Sequence, residues 1–184
     1  MSQSSERSNE KETKQFSQER RKIGLSLVVA ALVVVLDQLS KSWVRGNLPP
    51  TNSFPDRGFL DLVYIENYGS AFGLFANQTF LLIVITLASL LTILLFLHFL
   101  SPTTTLNVVS LSLILGGAVG NLIDRLRFGC VTDFIYFHIH SFFRWPAFNL
   151  ADTAIVIGIF VLIYSLYSSG LFRKAYEHEH KTKG

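Results

Sequence analysis

The chain has 184 residues, 49% of them hydrophobic and only 16% charged, with a mean hydropathy of +0.39. That length suits one domain, and the apolar residues fall in long blocks, which excludes an ordinary soluble core and indicates a polytopic membrane protein. The net charge is only +3, Lys and Arg are not interleaved with aromatic residues as on a nucleic-acid surface, and a single cysteine, Cys130, excludes an internal disulfide framework or a CxxC zinc site.

Residues 1–22 are rich in Ser, Gln, Glu, Lys and Arg and predict a disordered polar tail ending in Arg20-Arg21-Lys22. The apolar run that follows is too long for a signal-peptide core and passes into Asp37-Gln-Leu-Ser-Lys41, so it reads as an uncleaved span over about 23–44. At about 1.5 Å per residue it crosses a hydrocarbon core of about 30 Å. Asp37 and Lys41 share a helix face and predict a supporting intrahelical ion pair. Residues 47–78 are mixed. Pro49, Pro50 and Pro55 break helices, 59–65 alternates like a strand, and Glu66-Asn67-Tyr68-Gly69-Ser70-Ala71-Phe72-Gly73 suits a tight turn. This predicts a small platform on the bilayer. The plainer alternative is an ordinary loop in which Asn67 only shapes the turn.

Spans two and three cover about 79–100 and 106–123 and should be antiparallel neighbours across a short hinge at Pro102. Gly116, Gly117 and Gly120 form a small-residue face that permits close helix packing in lipid. No strand precedes them and no Lys-Ser/Thr follows, which argues against a phosphate-binding loop. In the segment 124–148, Arg125, Arg127 and Arg144 stand among Phe128, Phe134, Tyr136, Phe142, Phe143, Trp145 and Phe148. That mixture predicts an interfacial aromatic segment. His138 and His140 lack an HExxH pattern or Cys partners, so no metal is expected. Span four covers about 149–171, and Arg173-Lys174 and a charged tail follow.

The predicted fold is therefore an all-α membrane protein with four transmembrane helices, a small extracytoplasmic β platform and an interfacial aromatic segment. Residues 23–172 form the membrane domain, with polar tails at 1–22 and 173–184. The basic flanks place both termini in the cytoplasm. Asp37, Asn67, Asp124, Asp133 and Asp152 then share the outer side.

Carboxylates at a bilayer edge are functional candidates. Two of them sharing one proton can hydrolyse a peptide: one takes a proton from water, the other polarises the carbonyl. Asp152 follows Asn149 by three residues at the start of span four. The same spacing makes a good helix start, so a purely structural role is its alternative. Asp124 precedes Arg125 and reads as neutralised by it. Asn121 and Arg125 share a helix face with four-residue spacing, and with Asp124 the trio reads as scaffold. Asp133, in Val-Thr-Asp-Phe, has no adjacent basic residue and is the freer acid. The residues thus favour Asp133 and Asp152 as the working pair of a membrane aspartic protease. The rivals are a transporter with a proton path through Asp124, Asp133 and Asp152, and a non-catalytic assembly factor built on the glycine face. Spans two and four hold almost no polar residues at mid-depth, which counts against the transporter.

The blocks Asp37-Gln-Leu-Ser-Lys41, Glu66-Asn67-Tyr68-Gly69-Ser70-Ala71-Phe72-Gly73, Gly116-Gly-Ala-Val-Gly-Asn121-Leu-Ile-Asp-Arg125, Val131-Thr-Asp133-Phe and Phe148-Asn149-Leu-Ala-Asp152 together resemble lipoprotein signal peptidase (signal peptidase II), in order and over nearly the whole membrane domain. The resemblance implies an aspartic endopeptidase of the bacterial cytoplasmic membrane that needs no cofactor. It would cut lipid-modified prolipoproteins just before the lipidated cysteine. By motif position Asp133 and Asp152 would be catalytic, and Asn67, Asn121, Arg125 and Asn149 would line the site or hold substrate. Asp37, Lys41, Asp124 and Gly69 would be supporting residues. Contact with membrane lipid, binding of the cyclic peptide globomycin and a monomeric state are also expected, with no nucleic-acid partner. One departure is Glu66-Asn67-Tyr68-Gly69-Ser70, where the family more often shows Asn-Thr-Gly-Ala-Ala; Asn67 and Gly69 are kept.

Overall fold

The structure is a computed structural model that describes residues 2–50, 54, 59–70, 74–99, 104–140 and 143–169. Its elements in order are α1 (Ser2–Asn47), β1 (Leu60–Asn67), α2 (Thr79–Phe99), α3 (Thr105–Phe128), β2 (Val131–His140), β3 (Phe143–Arg144) and α4 (Leu150–Ser168). Among the described residues, three stretches are long and apolar enough to cross a membrane: Phe16–Asn47 of α1, and all of α3 and α4. Helix α2 carries a shorter apolar stretch, Thr79–Leu95. The chain is thus a mostly helical, multi-pass membrane protein with a small antiparallel sheet. The Pro55, Pro102, Phe142 and Ala71-Phe72-Gly73 positions lie outside the described residues, as do Arg173-Lys174, the C-terminal tail and the side chains of His138 and His140.

Helix α3 is the centre of the bundle and packs against the other three helices. Its glycines explain how closely. A Cβ on Gly116 would lie 2.8 Å from both Ala30 O and the Val33 Cβ of α1. A Cβ on Gly117 would run into Ala151 O and the Ile155 side chain of α4. From the other side, a Cβ on Gly158 of α4 would meet Ser110 O of α3 at 2.8 Å. Small residues bring backbones into contact, which is how helices gain dispersion energy in lipid. The predicted glycine face is therefore two faces, one toward each neighbour. Ser112 adds a buried hydrogen bond to Ser26 of α1 at 2.8 Å. The outward surfaces carry large apolar groups such as Phe80, Phe160 and Tyr167, at 79%, 68% and 76% exposure, as lipid-facing positions should.

Three features differ from the sequence reading. The tail expected to be disordered continues α1 as helix back to Ser2. Its Glu, Lys, Gln and Arg are good helix formers, and an adjoining apolar helix supplies the nucleus that an isolated polar segment lacks. Helix α3 runs through Asp124 and Arg125 to Phe128, where Gly129 caps it at φ 75. Finally, much of the stretch expected as an aromatic interfacial segment is strand. β1, β2 and β3 form an antiparallel sheet in that order. Ile65 stands opposite Asp133 and Asn67 opposite Val131, with an irregularity between Leu62 and Ile65. Phe148 bridges Ile135 just before α4 begins. The sheet therefore delivers Asp133 and Asn67 to the end of the bundle where α4 starts.

Candidate active site

The site is built on the first turn of α4. Asn149 is its N-cap, and the Asn149 side chain accepts from Asp152 N at 2.9 Å. In return Asp152 Oδ2 accepts from Asn149 N at 3.3 Å, which completes a capping box. The structural alternative for this pair is therefore correct as far as it goes. It does not account for the second oxygen. Asp152 Oδ1 accepts from Asn121 Nδ2 of α3 at 2.7 Å.

Asp133 reaches the same place from β2. Its Oδ1 accepts from Asn149 Nδ2 at 2.8 Å and its Oδ2 from Asn67 Nδ2 at 2.9 Å. Each of the four carboxyl oxygens thus receives one N–H. Asn149 donates to both acids, through its backbone to Asp152 and through its side chain to Asp133. Asn67 is held by an Asx-type turn, its Oδ1 accepting from Gly69 N at 2.9 Å. Arg125 Nη2 donates to Gly69 O at 3.4 Å from the α3 side. Asp133 is 2% exposed, and its carboxyl is pushed up to about 7. Burial is the main cause and the charge of Asp152 the next, while the N–H donors of Asn67 and Asn149 pull the other way.

Behind the pair lies a second polar layer. Asp37, Lys41 and Asp124 are all fully buried. Lys41 Nζ sits 2.9 Å from Asp37 Oδ2 and 3.4 Å from Asp124 Oδ2, so the intrahelical pair expected from sequence is present and shared. Arg45 Nη1 lies 3.6 Å from Asp124 Oδ1. Two acids thus meet two cations, the arrangement buried charges require. Asp37 Oδ1 also accepts from Ala151 N at 3.0 Å, tying α1 to the start of α4. The scaffold trio read from sequence is corrected here. Asp124 pairs with Lys41 and Arg45, while Asn121 belongs to the carboxyl pair. Adjacent helix residues point in different directions, so sequence proximity to Arg125 misled. Gln38, Arg45 and Thr132 were not singled out from the sequence. Gln38 donates to Asp124 at 3.1 Å, Thr132 N to Asp124 at 3.0 Å, and Arg45 to Thr132 Oγ1 at 2.7 Å. The spacing of Asp37, Lys41 and Arg45, each four apart on one face, was the available signal.

Both acids, Asn67, Asn121 and Arg125 line a cavity of about 880 Å³. It continues between α2 and α4 past Ile85, Ser89 and Ile155, with a mostly apolar wall. Among the described residues no cluster of three or more His, Cys, Asp or Glu side chains forms a metal-ligand set.

Fold and site together define a multi-pass membrane protein with two carboxyl groups, bridged by one asparagine, in the wall of a mostly apolar cavity. The chain belongs to the signal peptidase II family: the family model of signal peptidase (SPase) II matches residues 29–168. It is 48% identical to the lipoprotein signal peptidase of Moorella thermoacetica over 141 residues, 76% of this chain and 91% of that one. It is 39% identical to that of Syntrophotalea carbinolica over 153 residues, 81% and 94% of the two chains. A bacterial membrane enzyme solved by the in meso method at 1.9 Å resolution superposes with a TM-score of 0.70 and 32% identity, covering 78% of this chain and 93% of that one. The chain is accordingly a protease.

Proposed function

We propose that this membrane protease removes signal peptides from diacylglyceryl-modified bacterial prolipoproteins, cutting just before the lipidated cysteine, with Asp133 and Asp152 as its catalytic pair. The observation that carries the assignment is the bridge: Asn149 donates to both carboxyl groups, so the two acids are held as a unit facing one cavity.

The chemistry follows from that unit. Asp152 sits in the first turn of α4, where the helix dipole favours negative charge. It takes a proton from water as the water oxygen bonds to the scissile carbon. Asp133 donates a hydrogen bond to the carbonyl oxygen and passes its proton to the amine nitrogen as the C–N bond breaks. The pair then holds the proton taken from water, and a proton exchange between the acids restores the start. Asn67, Asn121 and Asn149 hold the two carboxyl groups in register, and Arg125 lines the substrate path. The apolar cavity between α2 and α4 suits the apolar helix of a signal peptide, with the lipid chains left in hydrocarbon.

Four spans are assigned: α1 from about residue 23, then α2, α3 and α4. Both termini are cytoplasmic, and the site is on the outer face of the bacterial cytoplasmic membrane. The basic flanks at Arg20-Arg21-Lys22 and Arg173-Lys174 support this orientation. A reporter fused after Gly184 should read out in the cytoplasm; an external signal would reverse the arrangement. Globomycin is expected to compete in the same cavity, and the protein to act as a monomer in contact with membrane lipid.

Purified protein in bilayers should cleave a diacylglyceryl-modified prolipoprotein and not its unmodified precursor, and chelator should leave the rate unchanged. Equal cleavage of both precursors, or loss of activity in chelator, would remove the substrate and mechanism proposed. The pH dependence has a definite sign. Asp133 works as the acid, and its carboxyl, raised from 3.8 to about 7, loses its proton as pH rises through that value. The ratio kcat/KM should therefore fall on the alkaline side of about pH 7. A flat profile from pH 6 to 9 would separate Asp133 from the acid role.

A further inference from the structure

The second polar layer touches the carboxyl pair at one point. Lys41 Nζ donates to Asn121 Oδ1 at 2.9 Å, and Asn121 Nδ2 donates onward to Asp152 Oδ1 at 2.7 Å. A primary amide has nearly the same shape in its two flipped orientations, so its partners decide which one it takes. An ammonium group has donors only, so it accepts nothing but the oxygen end of that amide. Asn149 Nδ2 also approaches Asn121 Oδ1, but at 3.2 Å and without charge. The charge-assisted contact from Lys41 is the stronger one. Asn67 shows the same device on the other acid, its oxygen held by Gly69 N and its NH2 turned to Asp133.

We propose that Lys41 is a positioning residue: by fixing the oxygen end of Asn121, it keeps the NH2 end on Asp152 and so sets the orientation of that carboxyl group toward the bound water and peptide. The inference rests on the assignment of Asp152 to the catalytic pair. It goes beyond the neutralising role that Lys41 plays toward Asp37 and Asp124.

A single Lys41 replacement cannot separate the two roles, because it strands buried carboxylates. The double variant Asp37→Asn/Lys41→Met can. It removes one charge of each sign, leaves Asp124 facing Arg45, and keeps an oxygen at position 37 to accept from Ala151 N. If Lys41 only neutralises, this variant regains wild-type turnover. If Lys41 positions Asn121, kcat falls ten- to a hundredfold while KM stays within threefold, at a melting temperature close to wild type. The losses must also share a pathway. In an Asn121→Ala background, adding the double variant should lower kcat by less than threefold. Wild-type kcat in the double variant, or losses that multiply in the triple variant, would overturn the proposal. Should the double variant not accumulate, Asp37→Asn/Lys41→Leu takes its place. It too leaves the oxygen end of Asn121 without a cation, with the same fall in kcat expected and an unchanged kcat overturning the proposal. Asp133→Asn is run alongside. Cleavage by that variant would sink the carboxyl-pair reading itself, whereas an inert Asp133→Asn beside a fully active double variant would sink only the role of Lys41.

Discussion

Asp133→Asn and Asp152→Asn should each reduce cleavage of a lipid-modified prolipoprotein by about a thousandfold or more, while the protein still folds. General acid and general base roles contribute about 10²–10⁴-fold each. In the mechanism proposed, one proton serves both acids, so loss of either stops the other. An amide can neither take a proton from water nor give one to a leaving amine. The substitution is also nearly the same size as the acid, and the new amide can turn its own oxygen toward one of the N–H donors of Asn67, Asn121 and Asn149. Packing around α4 should therefore survive, and thermal unfolding in detergent should lie within a few degrees of wild type. Asp124→Asn is the useful contrast. That side chain faces Lys41 and Arg45 away from the carboxyl pair, so its loss should reduce stability with a far smaller effect on turnover. If either of the first two variants cleaved at a tenth of the wild-type rate, the catalytic pair would be wrongly assigned.

The sequence carried the site further than it carried the fold around it. Asp133 and Asp152 stand out because charge is costly at a bilayer edge, and Asn149 because a cap needs an oxygen at that spacing. The apolar blocks marked the helices to within a few residues, except where α1 starts back at Ser2 and where α3 runs on to Phe128. What could not be read was pairing across long separations. Residues 131–140 place aromatic and β-branched groups at both odd and even positions, so no single face announces a strand. Their partner lies some seventy residues earlier in the chain, beyond any local signal. The same limit hid the contact of Asp37 with Ala151 N, where a carboxylate of the first helix caps the last. Asp124 failed for a different reason. Its sequence neighbour Arg125 is on another side of the helix, and its real partners lie on α1.

That tie between α1 and α4 passes over a glycine, and it sets the other large effect expected. Gly120 lies where a Cβ would stand 2.6 Å from Asp37 Oδ2. Asp37 cannot swing aside cheaply, because Oδ1 holds Ala151 N and Oδ2 holds Lys41. Gly117 faces something less yielding still, the backbone oxygen of Ala151. Gly117→Ala must push α4 off α3, which moves Asp152 away from Asn121. Overpacking of this kind costs about 1–3 kcal/mol, more than the about 1 kcal/mol that alanine gains over glycine in a helix. Gly117→Ala and Gly120→Ala should both lower the melting temperature and lose most activity. Gly24 and Gly46 supply the internal control, because a Cβ at either meets nothing within 4 Å. Gly24→Ala and Gly46→Ala should be neutral or slightly stabilising, with full cleavage. The four variants, unfolded by heat in one detergent and assayed on one substrate, separate helix propensity from helix contact. If Gly117→Ala proved as stable and as active as Gly24→Ala, the close approach of α3 to α4 would not be what holds the two acids together.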